Sequence, residues 1–141
     1  MRPAARTPHS GSRTIRGAGS SILGRGSAPA AYRSWRAGSL VEDTTSTFAE
    51  GLATRTAFEL PQQIMREWLD DFVLVSEEAL RDATRLMIEK TRNLVEPAGA
   101  APLAAVLSEP GRFAGREVAL VCSGGNISPA QLAALWPGET A

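Results

Sequence analysis

The chain has 141 residues, 43% of them apolar and 21% charged, which suits one globular domain with a real core. No apolar run approaches the ~18 residues needed to span a bilayer. A single cysteine, Cys122, excludes an internal disulfide and a cysteine-built zinc site, and a lone histidine, His9, leaves residues 10–141 without a Ser-His-Asp triad. The net charge of zero conceals an asymmetry: residues 1–41 carry seven arginines and no acid, whereas residues 42–141 carry fifteen acids against eight bases, a net of −7 that argues against a nucleic-acid-binding face there.

Residues 1–27 read as a disordered basic leader, rich in Arg, Ser, Gly and Pro and without the apolar stretch of a secretory signal. A nucleic-acid-binding arm or an organellar transit segment are the alternatives. Order is expected from Ala28 to the end of the chain. AAYRSWRAGSL predicts a short helix with Tyr32 and Trp35 on one face and Gly38 as its stop. TTSTFAEGLAT is a polar loop around Gly51. ELPQQIMREWLDD predicts a helix with Pro61 at its first position and an apolar stripe of Ile64, Met65, Trp68 and Leu69.

FVLV, residues 72–75, is a continuous apolar run of the kind found in buried parallel strands. Ser76 can cap the helix that follows, and Glu77 and Glu78 suit its positive end. That helix extends to about Arg92, with Leu80, Ala83, Met87 and Leu94 at core spacing and Lys90 and Arg92 in the last turn. A corner at Pro97 and Gly99 then leads into a small-residue helix, and GRFAG is a turn. REVALVC, residues 116–122, predicts a second buried strand that would enclose Cys122 as a structural thiol. Beyond the SGGN corner, Ser128, Pro129 and Gln131 form a capping box for a final helix. Trp35, Trp68 and Trp136 are expected to pack, and the acids of EEALRD to face solvent. The whole is an α/β pattern, a parallel sheet with crossover helices, in which ligands bind at the carboxyl ends of strands. SGGN stands at such an end, where glycine lets backbone approach a ligand and serine adds a hydroxyl; a plain strand-to-helix turn is the alternative.

LVEPAGAAPLAAVLSE followed by VALVCSGGNIS resembles the C-terminal part of the catalytic domain of pyridoxal-phosphate-dependent threonine/serine dehydratases and serine racemases. TFAEGLATR, FELPQQIMREWLDDFVLVSEEAL and the AYRSWRAG helix are similar to that family in the same order, so the resemblance covers about residues 28–136. It implies a partial three-layer parallel-sheet fold, part of the large domain of fold type II enzymes, with pyridoxal 5'-phosphate as cofactor, an amino acid as substrate, a cytoplasmic location and possible homo-oligomers, without nucleic-acid or membrane partners.

The resemblance also implies residue roles. Ser123 would hydrogen-bond the pyridine nitrogen, with Gly124 beside it; Glu96 would lie near the ring, and Gly51 would line the ring face. A neutral hydroxyl does not enforce a protonated ring and so tempers the electron sink, which suits elimination at Cβ. Without the family context, Ser123 reads as a turn residue, Glu96 as a helix-end acid and Gly51 as a loop hinge.

The family's Schiff-base lysine has no counterpart. The one lysine, Lys90, reads as a surface residue that complements the helix dipole. The phosphate-cradling glycine loop is likewise missing, and GRGS at residues 24–27 is no substitute because no strand is expected before it. No acid in residues 1–41 could supply the divalent-cation site of some members, and only PGETA follows Trp136, as in members without a regulatory domain. The expectation is therefore a C-terminal fragment of a threonine/serine ammonia-lyase, inactive alone, with no catalytic or metal-binding residue of its own. A non-catalytic pseudoenzyme or interaction module, or a serine racemase-like enzyme, is the alternative.

Overall fold

The computed structural model describes residues 23–24, 29–136 and 138. Most of the basic segment, with its nucleic-acid-binding, transit and leader readings, lies outside the described residues. Its described part is a strand: β1 (Leu23–Gly24) pairs in parallel with β2 (Leu74–Val75), Leu23 opposite Leu74 and Gly24 opposite Val75. This corrects the expectation that no strand comes before GRGS. Two residues are too short a run to register as a period, and β2 supplies the template.

Between the two strands lie α1 (Ala30–Ala37), a single 3-10 turn (Glu50–Leu52) and α2 (Glu59–Trp68). Helix α1 ends as expected at Gly38, whose φ of 73° is the left-handed conformation that glycine tolerates best. Tyr32 and Trp35 pack on Phe72, with ring centroids 5.5 and 5.9 Å away. Helix α2 starts two residues before Pro61, with Phe58 as its N-cap. Only Met65 and Leu69 of its expected stripe join the Phe72 cluster, while Ile64 and Trp68 are exposed. Gln62 is buried instead, its Nε2 donating to the Ala31 carbonyl at 3.0 Å. A polar side chain that bonds the neighbouring helix thus displaces the apolar stripe from the contact.

After β2 come α3 (Glu77–Thr91), α4 (Pro97–Ser108), the one-turn α5 (Pro110–Phe113) and α6 (Pro129–Leu135). Ser76 caps α3 as expected, its Oγ accepting from the Ala79 N–H at 3.1 Å. Arg92 closes the helix in the left-handed conformation, φ 60°, so Leu94 no longer follows the helical face and is exposed rather than core. Pro97 and Gly99 lie inside the first turn of α4 rather than at a corner before it, because proline at the first position lacks only an N–H the helix does not use. Helix α4 buries Ala100, Ala101, Ala104 and Ala105, and this methyl-sized surface packs on α3, where Leu80 and Ala83 are fully buried. Val73, Val75, Val95 and Ala49 complete that core.

The expected second strand differs most. Residues 116–122 form no helix or strand, and Val118, Leu120, Val121 and Cys122 are exposed. A parallel strand is buried only when neighbours flank both edges and layers cover both faces, and the described residues supply neither here. Cys122 is accordingly a surface thiol, not a core one. Trp68 is exposed, whereas Trp136 is half-buried. No helix among the described residues is long and apolar enough to cross a membrane.

Candidate functional site

A loop and a corner meet at the first turn of α4. Glu96 is the N-cap of the helix and its N–H donates to the Gly124 carbonyl at 3.2 Å, which ties the SGGN corner to the helix start. Contact along this seam admits no side chain. A Cβ at Gly99 would lie 2.6 Å from the Gly124 oxygen and 3.1 Å from its nitrogen, and a Cβ at Gly124 would collide with the Glu96 carboxylate. On another side of the same turn, a Cβ at Gly51 would lie 2.9 Å from the Ala98 Cβ. The expected site residues Gly51, Glu96 and Gly124 therefore converge on residues 96–99. Ser123 precedes the pinned Gly124 with its side chain exposed to solvent.

The Gly51 turn is fixed from below. Ala49 is fully buried in the α3–α4 core, and the Leu52 N–H donates to the Ala49 carbonyl at 2.8 Å. One residue earlier, the Phe48 N–H donates to Glu77 Oε2 at 3.3 Å, the Phe48 carbonyl accepts from Gln131 Nε2 at 3.1 Å, and the Arg81 guanidinium stands 4.1 Å from the ring centroid. Glu77 thus turns inward, against the expectation that the EEALRD acids face solvent, because an N–H with no strand or helix partner needs an acceptor. Gly51 itself is exposed and lines a hollow of ≈ 220 Å³ shared with Leu52, Thr54, Phe58 and Met65. Sequence reasoning missed Glu77, Arg81 and Gln131. Each had a sufficient local role, as helix-end acid, surface base or cap, and only the tertiary contact with Phe48 reveals the second one.

The other charged features are structural. Asp71 bonds Arg112 at 2.7 Å, and Arg112 also bonds Glu109 at 3.1 Å. The Phe72 N–H, and secondarily Arg112, hold the Asp71 carboxyl below its ordinary range against an opposing contribution from burial, while Asp71 and then Glu109 raise Arg112. Asp43 pairs with Arg33 beside α1. Among the described residues no three His, Cys, Asp or Glu side chains come together to hold a metal ion. Lys90 is exposed in the last turn of α3.

Comparison with known proteins shows the family of the chain. The family described as pyridoxal-phosphate dependent enzyme matches residues 10–124. The chain belongs to the pyridoxal-phosphate-dependent enzymes. The match begins within the arginine-rich segment, ahead of Ala28. The chain is 39% identical over 101 residues to an L-threonine ammonia-lyase of Geobacter sulfurreducens, a stretch that covers 71% of this chain and 25% of the relative. It is 33% identical over 98 residues to a beta-hydroxyaspartate dehydratase of Paracoccus denitrificans, covering 69% of this chain and 31% of the relative. The crystal structure of a T.th. threonine deaminase superposes with a TM-score of 0.70 at 39% identity, over 77% of this chain and 37% of that one. The chain thus spans about a third or less of the length of these curated relatives, and its fold is part of the α/β fold of type II pyridoxal-phosphate enzymes.

The residues present fit one side of that cofactor. Ser123 offers an exposed neutral hydroxyl on a backbone that the Gly99–Gly124 contact fixes, and Gly51 offers an exposed face without a side chain. The solvent-exposed amine of Lys90 does not fit the desolvated lysine that a covalent cofactor link requires.

Proposed function

We propose that the chain is part of the catalytic domain of a pyridoxal-phosphate-dependent ammonia-lyase that converts L-threonine or L-serine into a 2-oxo acid, water leaving first and ammonia after hydrolysis. The observation that carries this reading is the convergence of Gly51, Glu96 and Gly124 on one helical turn, next to an exposed Ser123. The similarity to an L-threonine ammonia-lyase and a threonine deaminase supports the reaction class.

When bound, pyridoxal phosphate supplies the electron sink for the amino acid's α-carbon. Ser123 Oγ would hold the pyridine nitrogen through a neutral hydrogen bond and would leave the ring less electron-withdrawing than a carboxylate partner would. Gly124 and Gly51, packed against Glu96 and Ala98, would leave backbone rather than a side chain beside the cofactor. Glu96, fixed along Gly124, closes the site beside it. The lysine that moves the α-proton comes from polypeptide outside this sequence, and the present chain is inactive alone. The exposed run at residues 118–122 favours that need for more polypeptide, since it leaves apolar side chains uncovered.

The purified chain, mixed with pyridoxal phosphate and L-threonine, is expected to release no 2-oxobutanoate. Release is expected once a polypeptide carrying the preceding part of a threonine ammonia-lyase catalytic domain is added. Turnover by the chain alone overturns the division of the site. A complemented, cofactor-loaded mixture that is silent toward L-threonine and L-serine overturns the reaction class.

A further inference from the structure

The side-chain amide of Gln131 is used at both ends. Its Oε1 accepts from the Ser128 N–H at 3.0 Å, and the backbone N–H of Gln131 donates to Ser128 Oγ at 3.2 Å, which completes the capping box of α6. Its Nε2 reaches across to the Phe48 carbonyl at 3.1 Å, three residues ahead of Gly51. One partner is a donor and the other an acceptor, so the chemistry fixes which way the amide points. A capping box is served equally by glutamate. Only glutamine caps the helix and donates outward as well.

The two segments joined in this way lead to the two stretches that meet the first turn of α4, the Gly51 turn and the Gly124 corner. Phe48 leads into the Gly51 turn, and Ser128 ends the corner that begins at Ser123. The far end of α6 is separately anchored, with Leu135 fully buried and its carbonyl accepting from Arg85 Nη1 at 2.8 Å. Helix α6 is therefore fixed to α3 at its end and to the Phe48 loop at its start.

We propose that Gln131 is a positioning residue that holds the Gly51 turn in register with the Ser123–Asn126 corner, so that both walls of the cofactor site move as one body. Glu77 assists by accepting from the Phe48 N–H on the other side of the same peptide. The inference rests on the cofactor reading only for the purpose of the register; the register itself is a property of the chain.

The test is hydrogen exchange on the full chain, with and without pyridoxal phosphate as the probe. Gln131→Glu keeps an acceptor for the Ser128 N–H but replaces the donor to Phe48 with an oxygen that repels its carbonyl. Amides of residues 49–53 are then expected to exchange roughly fivefold faster while α6 amides stay protected. Gln131→Ala, which removes cap and bridge together, is expected to accelerate both. Unchanged exchange at residues 49–53 in Gln131→Glu overturns the proposal and leaves Gln131 a cap only. If Gln131→Glu does not melt cooperatively, the unmodified chain decides: the bridge predicts protection of residues 49–53 and of α6 within a few-fold of each other, and loop exchange more than about tenfold faster than α6 overturns it. The probe separates this result from the cofactor reading. Failure of pyridoxal phosphate to protect Gly51 and residues 123–125 once the chain is complemented with the preceding part of the catalytic domain counts against the cofactor site, whereas a silent Gln131→Glu counts against the bridge.

Discussion

The α3–α4 pair and the segment of residues 116–122 are both apolar stretches of similar promise in the sequence, and they end in opposite conditions. Helix α4 buries four alanines against Leu80 and Ala83, whereas Val118, Leu120 and Val121 stand exposed, Val121 at 73% of its surface. The difference lies in where the backbone finds its hydrogen bonds. A helix satisfies its own interior N–H and C=O groups, so two helices with small facing residues suffice for a core. A strand borrows every partner from its neighbours. The α3–α4 core closes on itself, while residues 116–122 pair with no strand among the described residues. The glycine corner is the exception on the strand side, because it leans on a helix start rather than on a sheet.

Perturbing the helical half should have the largest effect. Leu80→Ala opens a cavity at the fully buried centre of the pair and is expected to cost about 2–5 kcal/mol in a urea melt. Gly99→Ala forces α4 and the corner apart at the 2.6 Å contact; an expected loss of about 1–3 kcal/mol, with faster hydrogen exchange at residues 123–125, would show that the corner rests on the helix. Ser76→Ala removes the α3 cap and should cost about 1 kcal/mol. Asp71→Asn keeps an acceptor for the Phe72 N–H but loses the ion pair with Arg112, which solvent screens because both side chains are partly exposed. The expected loss at pH 7 is below about 1 kcal/mol. The Asp71 carboxyl is lowered in the folded chain, so its contribution is present above the ordinary value of 3.8 and is lost as pH falls through the lower folded value. The gap between Asp71→Asn and the unmodified chain should therefore close below about pH 4. Val121→Ser should shift stability by no more than about 0.5 kcal/mol and reduce self-association measured by light scattering. A large loss there would mean that residues 116–122 are packed after all.

Features governed by neighbours in sequence were legible: the Ser76 cap, the Gly38 stop, the Ser128–Gln131 box and the α4 run of small residues. Those that depend on distant contacts were not. Gln62 is buried through its bond to Ala31, Leu94 leaves the helical face at Arg92, and β1 exists only because β2 lies beside it. The site divides in the same way. Gly51, Glu96 and Gly124 were singled out through family resemblance, and the structure brings them together at the first turn of α4. The second hydrogen bond of Gln131 was hidden behind a capping role that already accounted for the residue.

The most direct test replaces the matching segment of the Geobacter sulfurreducens L-threonine ammonia-lyase with residues 29–136 of this chain and follows 2-oxobutanoate release from L-threonine. The chimera is expected to bind pyridoxal phosphate and turn over L-threonine, with Ser123→Ala lowering the rate at least about tenfold, the loss of one hydrogen bond to a reacting group. A chimera that folds and binds the cofactor but releases no 2-oxobutanoate, or one indifferent to Ser123→Ala, would contradict the proposed role of the corner.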